Sequence, residues 1–430
     1  MVKTAIVVGS GAGGAAAARE LQGHFQVTVL EAGAPFRPFP LALRTAERIK
    51  ATGLLRDERL IRLLFPAMLV RRSRQGMVLV NGVGTGGTTP ISTGNALRLD
   101  GGLRAVGVEL DQEFAEVAGE VPITSDHERL WHPPTRALFD ACTDLSLEPQ
   151  AMPKMGDYGR CASCGRCVLG CQRRVKWDAR VYLEEALERG ARLLTRHQVR
   201  QVAIEQGRVT GVWARSWGRM RFFPADLVVL AAGGLATPVI LARSGLAPEP
   251  RLFVDPVLCV AAPLPGVRQN REIPMLFYVQ GEGYIISPYF DHLSFFFNRD
   301  WRLPAQDILS LMIKLADDQK GDVAGRGVDK PLTPADQRRL DEATELCRRI
   351  LAYLGVRPQD TFLGTLNAGH PGGMLPLTER EALSLHHDRL PPNLYVADAS
   401  LLPRALGGPP ILTLLALAKR IARVATERVG

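Results

Sequence analysis

Apolar and polar positions along this chain fall into blocks whose period changes several times. Residues 4–8 form a short apolar run of strand length. A Gly-rich turn, an Ala-rich helical segment at 15–21 and a second apolar run at 27–30 ending on Glu31 follow. Strand, turn, helix and strand in that order make a βαβ unit. Asp178 opens a predicted helix to about Glu188, and a strand pair over 197–214 turns at Glu205-Gln206-Gly207. Residues 227–232 read as a buried strand running through Gly233-Gly234 into a helix. From 255 to 330 the pattern is β-rich and aromatic, as at 275–278 and 295–297. Thr333-Pro334 then caps an amphipathic helix that closes at Gly355, its apolar face carrying Leu340, Ala343, Cys347, Ile350 and Leu351. A strand at 394–397 and a terminal helix complete the chain. The simplest arrangement is an α/β nucleotide-binding unit assembled from residues 1–40, 76–100, 155–250 and 362–430. A β-rich cap of 41–75, 101–154 and 251–361 is inserted into it.

Composition narrows the function classes. The chain of 430 residues is 46% hydrophobic and 23% charged, which excludes a disordered or collagen-like protein. Its net charge of +9 is too dilute to imply nucleic acid. The charge is uneven: residues 41–74 hold nine basic and three acidic side chains among leucines such as Leu54, Leu55, Leu60, Leu63 and Leu64. Such a stretch reads as a cap helix with a solvated polar face or as a contact for an anionic membrane surface or acidic partner. Met1-Val2-Lys3 leads directly into the first strand without a targeting pattern, so a cytoplasmic location is expected, where structural disulfides are rare.

Gly9-x-Gly11-x-x-Gly14 lies between a strand and a helix, with Glu31 seventeen residues beyond Gly14. Glycines there permit a tight turn and let backbone N–H groups approach a pyrophosphate at the helix N-terminus, while the acid can accept from an adenosine ribose hydroxyl. The motif alone does not separate FAD from NAD.

Four further segments, in order, resemble the glucose–methanol–choline (GMC) family of FAD oxidoreductases. They are Gly84-Thr85-Gly86-Gly87-Thr88-Thr89 through Gly94-Asn95-Ala96-Leu97-Arg98; residues 225–233 with Thr237-Pro238 and Ser244-Gly245-Leu246; Gly369-His370-Pro371-Gly372-Gly373; and residues 393–400 with Leu412-Thr413. The resemblance implies a Rossmann-like FAD-binding domain with a β-rich substrate domain, and chemistry on an alcohol or its carbonyl product. It argues against an NAD-dependent reductase. Carried over by motif, Gly9, Gly11, Gly14, Glu31, Gly86, Gly87, Thr88, Asn95, Val199, Ala232, Asp398, Ala399, Pro410 and Ile411 would bind FAD. The link would be non-covalent, since 84–95 offers no His or Cys. His370 would handle the hydroxyl proton. Where family members carry a second His or Asn, this chain has Gly408-Pro409-Pro410, so Asn367 is the nearest polar substitute. That departure also leaves open a non-catalytic electron-transfer or scaffold subunit.

Cys161-x-x-Cys164-x-x-Cys167-x-x-x-Cys171 has the spacing of a ferredoxin run. It predicts a 4Fe–4S cluster, with Cys142 or Cys259 as alternatives for the fourth ligand. Such a cluster would pass electrons to a protein acceptor or partner subunit. Unligated thiols and zinc are the competing readings. Some members of the resembled family acting on long-chain alcohols carry a similar segment running into a lysine like Lys176.

Overall fold

The computed structural model describes residues 2–53, 57–325 and 327–430; Leu54 and Leu55 of the basic stretch lie outside the described residues. At its centre is a five-stranded parallel sheet. Its strand order is Leu394–Val396, Leu227–Leu230, Thr4–Val8, Gln26–Leu30 and Arg192–Leu194. Parallel strands are covered on both faces and so read as continuous apolar runs, as residues 227–230 do, all fully buried. Helix Ala12–Glu20 packs against the terminal helix Ile411–Val429. Ala15, Ala16, Ala17 and Ala18 have no exposed surface, because only small side chains allow helix and sheet to approach so closely. An antiparallel meander of Gln198–Glu205, Arg208–Ser216 and Arg219–Pro224 joins the same core through Val199, Val202, Val212 and Ala214. Its third strand was not legible in the sequence pattern.

A second, mixed sheet runs in the order Met68–Arg72, Val78–Gly82, Asn367–Ala368, Pro256–Pro263, Ile308–Leu315, Tyr284–Pro288, Phe277–Gly281 and Gln150–Ala151. Side chains on a strand alternate faces. On Ile308–Leu315, Leu309, Leu311 and Ile313 therefore pack with Leu340, Ala343, Cys347, Ile350 and Leu351 of helix Pro334–Ala352. Met312 and Lys314 point the other way, into a cavity. The helix begins where its cap predicts. The Thr333 hydroxyl accepts from the Asp336 N–H at 3.1 Å, and the Asp336 carboxylate accepts from the Thr333 N–H at 2.9 Å. Thr333→Ala should cost about 1 kcal/mol, read as a lower midpoint in urea without a change of slope.

Two expected elements differ. Phe295–Phe297 is not β: it ends a short helix, His292–Phe297, because the Asp291 side chain accepts from the Leu293 N–H at 2.9 Å and starts a helical turn. The basic stretch is not one amphipathic helix either. It breaks into Leu43–Ala51, a turn at Glu58–Leu60, the single-turn helix Ile61–Leu64 and strand Met68–Arg72. Ion pairs of Arg59 with Asp57 and Arg72 with Glu58 use part of its charge, while Leu60, Leu63 and Leu64 face outward.

Candidate active site

The two glycine loops meet face to face. Ser10 is the joint: its N–H and hydroxyl donate to Glu31 Oε2 at 3.1 and 2.6 Å, and its Oγ accepts from the Gly86 N–H at 3.3 Å. Glu31 Oε1 accepts from the Gly33 N–H at 2.8 Å. Glu31 thus ends the second strand as expected, and its carboxylate also fastens the loop. Burial pushes its pKa up, and these donors oppose the shift.

The glycines differ in what constrains them. A Cβ on Gly9 would lie 2.4 Å from the Ala231 oxygen, and one on Gly14 would lie 2.1 Å from the Gly9 oxygen. Gly13, which the motif does not single out, is tightest of all, with the Ala397 oxygen 1.7 Å away. At Gly11 the nearest atom is Gly87 Cα at 3.8 Å. The space beside Gly11 is therefore open, and the first N–H groups of the following helix have no side-chain cap. A small-residue cleft under uncapped helix donors fits a pyrophosphate. Asp398 closes the far side, accepting from the Gly233 N–H at 2.8 Å, the Thr237 hydroxyl at 2.5 Å and the Ser400 N–H at 2.9 Å. Ala232 stands beside it, its N–H donating to Thr237 Oγ1, and the Ala399 carbonyl accepts from the Gly373 N–H at 3.0 Å. Val199 is buried in the meander, two residues beyond His197, whose N–H donates to the Glu31 carbonyl at 2.9 Å.

Beyond the loops lies a largely apolar cavity of about 190 Å³. It gathers Thr88, Asn95, Asn367, His370, Pro410 and Ile411 from three separated segments, with Met68, Phe296, Phe297 and Met312 among its apolar walls. Asn95 is held from behind: its Oδ1 accepts from buried Lys154 Nζ at 2.6 Å. Burial lowers that ammonium to about 7. Lys176 anchors the same loop by donating to the carbonyls of Thr89 and Pro90 at 2.8 and 3.1 Å. Asn367 lines the cavity, but its amide already donates to the Thr365 carbonyl at 3.0 Å.

His370 presents a side chain 25% exposed, with Nδ1 3.4 Å from Asp255 Oδ2. Burial, then the positive charge of Lys314, holds the imidazole well below its usual range, so it is neutral at pH 7. Asp255 is wholly buried, and burial raises its carboxyl to about 6, against the opposing charge of Lys314. It sits at φ +49° and accepts from the Gly407 N–H at 3.0 Å. Its own N–H donates to Asp317, which pairs with fully buried Lys330 at 2.8 Å. A left-handed aspartate pinned this firmly is local strain maintained at a site. Asp255, Lys314 and the Asp317–Lys330 pair were not legible as site residues in the sequence.

The iron–sulfur expectation is not supported. Among the described residues, no three or more His, Cys, Asp or Glu side chains converge as a metal site. Cys161, Cys167 and Cys171 are half-buried and Cys164 is exposed, while Cys142, Cys259 and Cys347 are buried in the hydrophobic cores. The residues between the cysteines explain the loop. Gly165, at φ +68°, has Asn270 O only 2.0 Å from where a Cβ would stand, and Gly170 packs on Phe36. Arg166 donates to the carbonyls of Leu41 and Phe39, and the Leu169 carbonyl accepts from the Phe39 N–H at 2.8 Å. The segment is a packed plug that presents Val168 and Leu169 to the cavity. The expectation of a protein electron acceptor rested on the cluster and is likewise not supported. Gly165→Ala should destabilise the fold by about 2 kcal/mol or more, read by thermal unfolding, through both the clash and the positive φ.

Parallel sheet, paired glycine loops and an adjoining cavity with a neutral histidine define a flavin-type dinucleotide-dependent oxidoreductase. The GMC oxidoreductase pattern matches residues 4–270 and a general FAD dependent oxidoreductase pattern matches 147–424; the chain belongs to the GMC oxidoreductase family. It is 25% identical to an uncharacterized protein of Methanocaldococcus jannaschii, over 97% of this chain and 98% of that one. It is 32% identical to an uncharacterized GMC-type oxidoreductase of Mycobacterium tuberculosis over 61% of this chain, a match that spans only 42% of that relative. The crystal structure of pyridoxine 4-oxidase from Mesorbium loti superposes with a TM-score of 0.73 at 17% identity, over 98% of both chains, and shares the fold. No helix among the described residues is long and apolar enough to cross a membrane.

Proposed function

We propose that this protein oxidises the carbinol carbon of an alcohol with an apolar body, or reduces the corresponding carbonyl. One observation carries the reading: His370 shares a cavity with Thr88, Asn95, Pro410 and Ile411, four of the residues expected to bind FAD. When bound, FAD supplies at N5 the acceptor for the hydride of the carbinol carbon. Gly9, Gly11, Gly14 and Glu31 would hold its adenosine and pyrophosphate, and Gly86, Gly87, Val199, Ala232, Asp398 and Ala399 would line the rest of its path. The chain's own contribution is to orient the alcohol, exclude water with Met68, Phe296, Phe297 and Met312, and take the hydroxyl proton on His370. A neutral imidazole near its substrate is competent for that transfer. Asp255 beside Nδ1 fixes the ring, and Pro409 and Pro410 offer neither side-chain donor nor N–H.

That proline pair is the observation favouring the rival reading, a flavoprotein that binds FAD without turning over an alcohol. An anaerobic panel of aliphatic and aromatic alcohols decides between them. Bleaching of the flavin absorbance by at least one alcohol is expected; a fully oxidised spectrum across the panel would favour the scaffold.

A further inference from the structure

The chain has eight lysines, and five of them are buried: Lys154, Lys176, Lys314, Lys330 and Lys419. An ammonium removed from water needs partners for its three donors. Four of the five have at least two. Lys154 donates to Asn95 and the Pro274 carbonyl at 2.6 Å each, and Lys176 to Thr89 and Pro90 carbonyls. Lys330 pairs with Asp317, and Lys419 pairs with Glu20 and Glu120 at 2.9 and 2.8 Å. Among the described residues, Lys314 has a single long contact, its Nζ 3.5 Å from the Asp255 carbonyl.

Strand alternation aims Lys314, with Met312, at the cavity that His370 lines. Its position is fixed from both sides, since Lys314 pairs in register with Val257 on one neighbouring strand and with Ile285 on the other. The cavity therefore holds an imidazole and an under-coordinated ammonium, and no donor from Pro409 or Pro410. We propose that Lys314 supplies the second polar group of the reaction centre, holding the substrate oxygen as its proton leaves to His370.

The inference rests on the alcohol-oxidising reading. The O–H bond breaks and its proton passes to His370; the oxygen's negative charge lies beside Lys314. The C–H bond would then break, with FAD, when bound, supplying the two-electron acceptor for its hydride, and the oxygen would become a carbonyl. Preorganised positive charge at the oxygen stabilises this course most where water is excluded. The charged and titratable groups around Lys314 are Asp255 and Asp317, which oppose the burial that lowers its ammonium to about 8, and His370. Tyr289, Asp291 and His292 also stand on the cavity wall, and Lys330 lies behind Asp317.

The test compares the FAD-loaded wild type with Lys314→Met. The variant should keep full flavin stoichiometry and reduce it, with the alcohol that bleaches the wild type, at least about a hundredfold more slowly. Ethylamine should restore part of the rate in Lys314→Ala. Pentanoate, whose carboxylate mimics the charged oxygen, should bind the wild type at least about tenfold more tightly than Lys314→Met by isothermal titration calorimetry, whether or not any alcohol turns over. Equal pentanoate affinities overturn the proposal even if the rate falls, because a structural role then accounts for the loss. Reduction by Lys314→Met within about threefold of wild type also overturns it. Should Lys314→Met fail to fold, Lys314→Gln carries the same expectations. If no alcohol bleaches the wild type, the functional reading fails, and the pentanoate comparison still decides whether Lys314 holds an oxyanion.

Discussion

His370→Ala is expected to retain FAD and to slow its reduction by an alcohol by about two orders of magnitude or more. The retention follows because His370 contributes nothing to the glycine loops or to Asp398. The loss follows because the hydroxyl proton then has no base of matched affinity. Anaerobic stopped-flow at saturating alcohol isolates the step. An unchanged rate would move the base role to His292, which also lines the cavity and whose two ring nitrogens have no hydrogen-bond partner among the described residues. The pH dependence carries a second signature. Burial and Lys314 lower the His370 pKa, so the base form persists as pH falls, and the acid limb of the rate should lie below the ordinary imidazole value near 6.5. Asp255 takes up its proton first, at about 6, which removes the negative charge beside Nδ1. Ordinary histidine behaviour, with half the rate lost near 6.5, would contradict the environment described here.

The sequence exposed those parts of the site whose chemistry is local to a few consecutive residues. Gly9, Gly11 and Gly14 are legible because strand, turn and helix must follow one another for the backbone to approach a phosphate. The helix from Thr333 is legible because a capping hydroxyl, a proline and a spaced apolar face occupy neighbouring positions. Lys314 is not, since Ile308–Leu315 reads as a core strand and a lysine near its end reads as a strand-terminal charge. Only the sheet order, with Asn367–Ala368 and Pro256–Pro263 between His370 and Lys314, puts the two on one cavity. Asp255 is hidden for the same reason: its partners, Gly407 and Asp317, are remote in sequence. The cysteine run is the opposite case, a local pattern that the structure does not support as a cluster. Spacing fixes how far apart thiols lie along the chain and says nothing of where they point, and here Gly165, Arg166 and Gly170 decide the path by packing on Asn270, Phe39 and Phe36. At Phe295–Phe297, aromatic β-propensity lost to a hydrogen bond that the Asp291 carboxylate accepts from the Leu293 N–H.

Gly11→Val and Gly13→Val, two residues apart in one loop, should fail in different ways. At Gly13 the obstacle is the protein itself, because any Cβ stands 1.7 Å from the Ala397 carbonyl oxygen, a backbone atom with no room to yield. The parallel strands at 4–8 and 394–396 flank that contact through the strand at 227–230, so Gly13→Val should yield little folded protein. Gly11 has no such neighbour: Gly87 Cα at 3.8 Å is an ordinary contact, and the residue has no positive φ to strain. The valine branches would instead project into the open cleft between the loops, where a pyrophosphate must approach the uncapped N–H groups of helix Ala12–Glu20. Gly11→Val should therefore fold, with far-ultraviolet circular dichroism like the wild type, and bind FAD at least about a hundredfold more weakly, a loss of about 3 kcal/mol. Equilibrium dialysis with added FAD measures the second quantity independently of turnover. Full flavin stoichiometry in purified Gly11→Val would remove the pyrophosphate from this cleft. Equal misfolding of the two variants would show that Gly11, like Gly13, is needed for packing rather than for the cofactor.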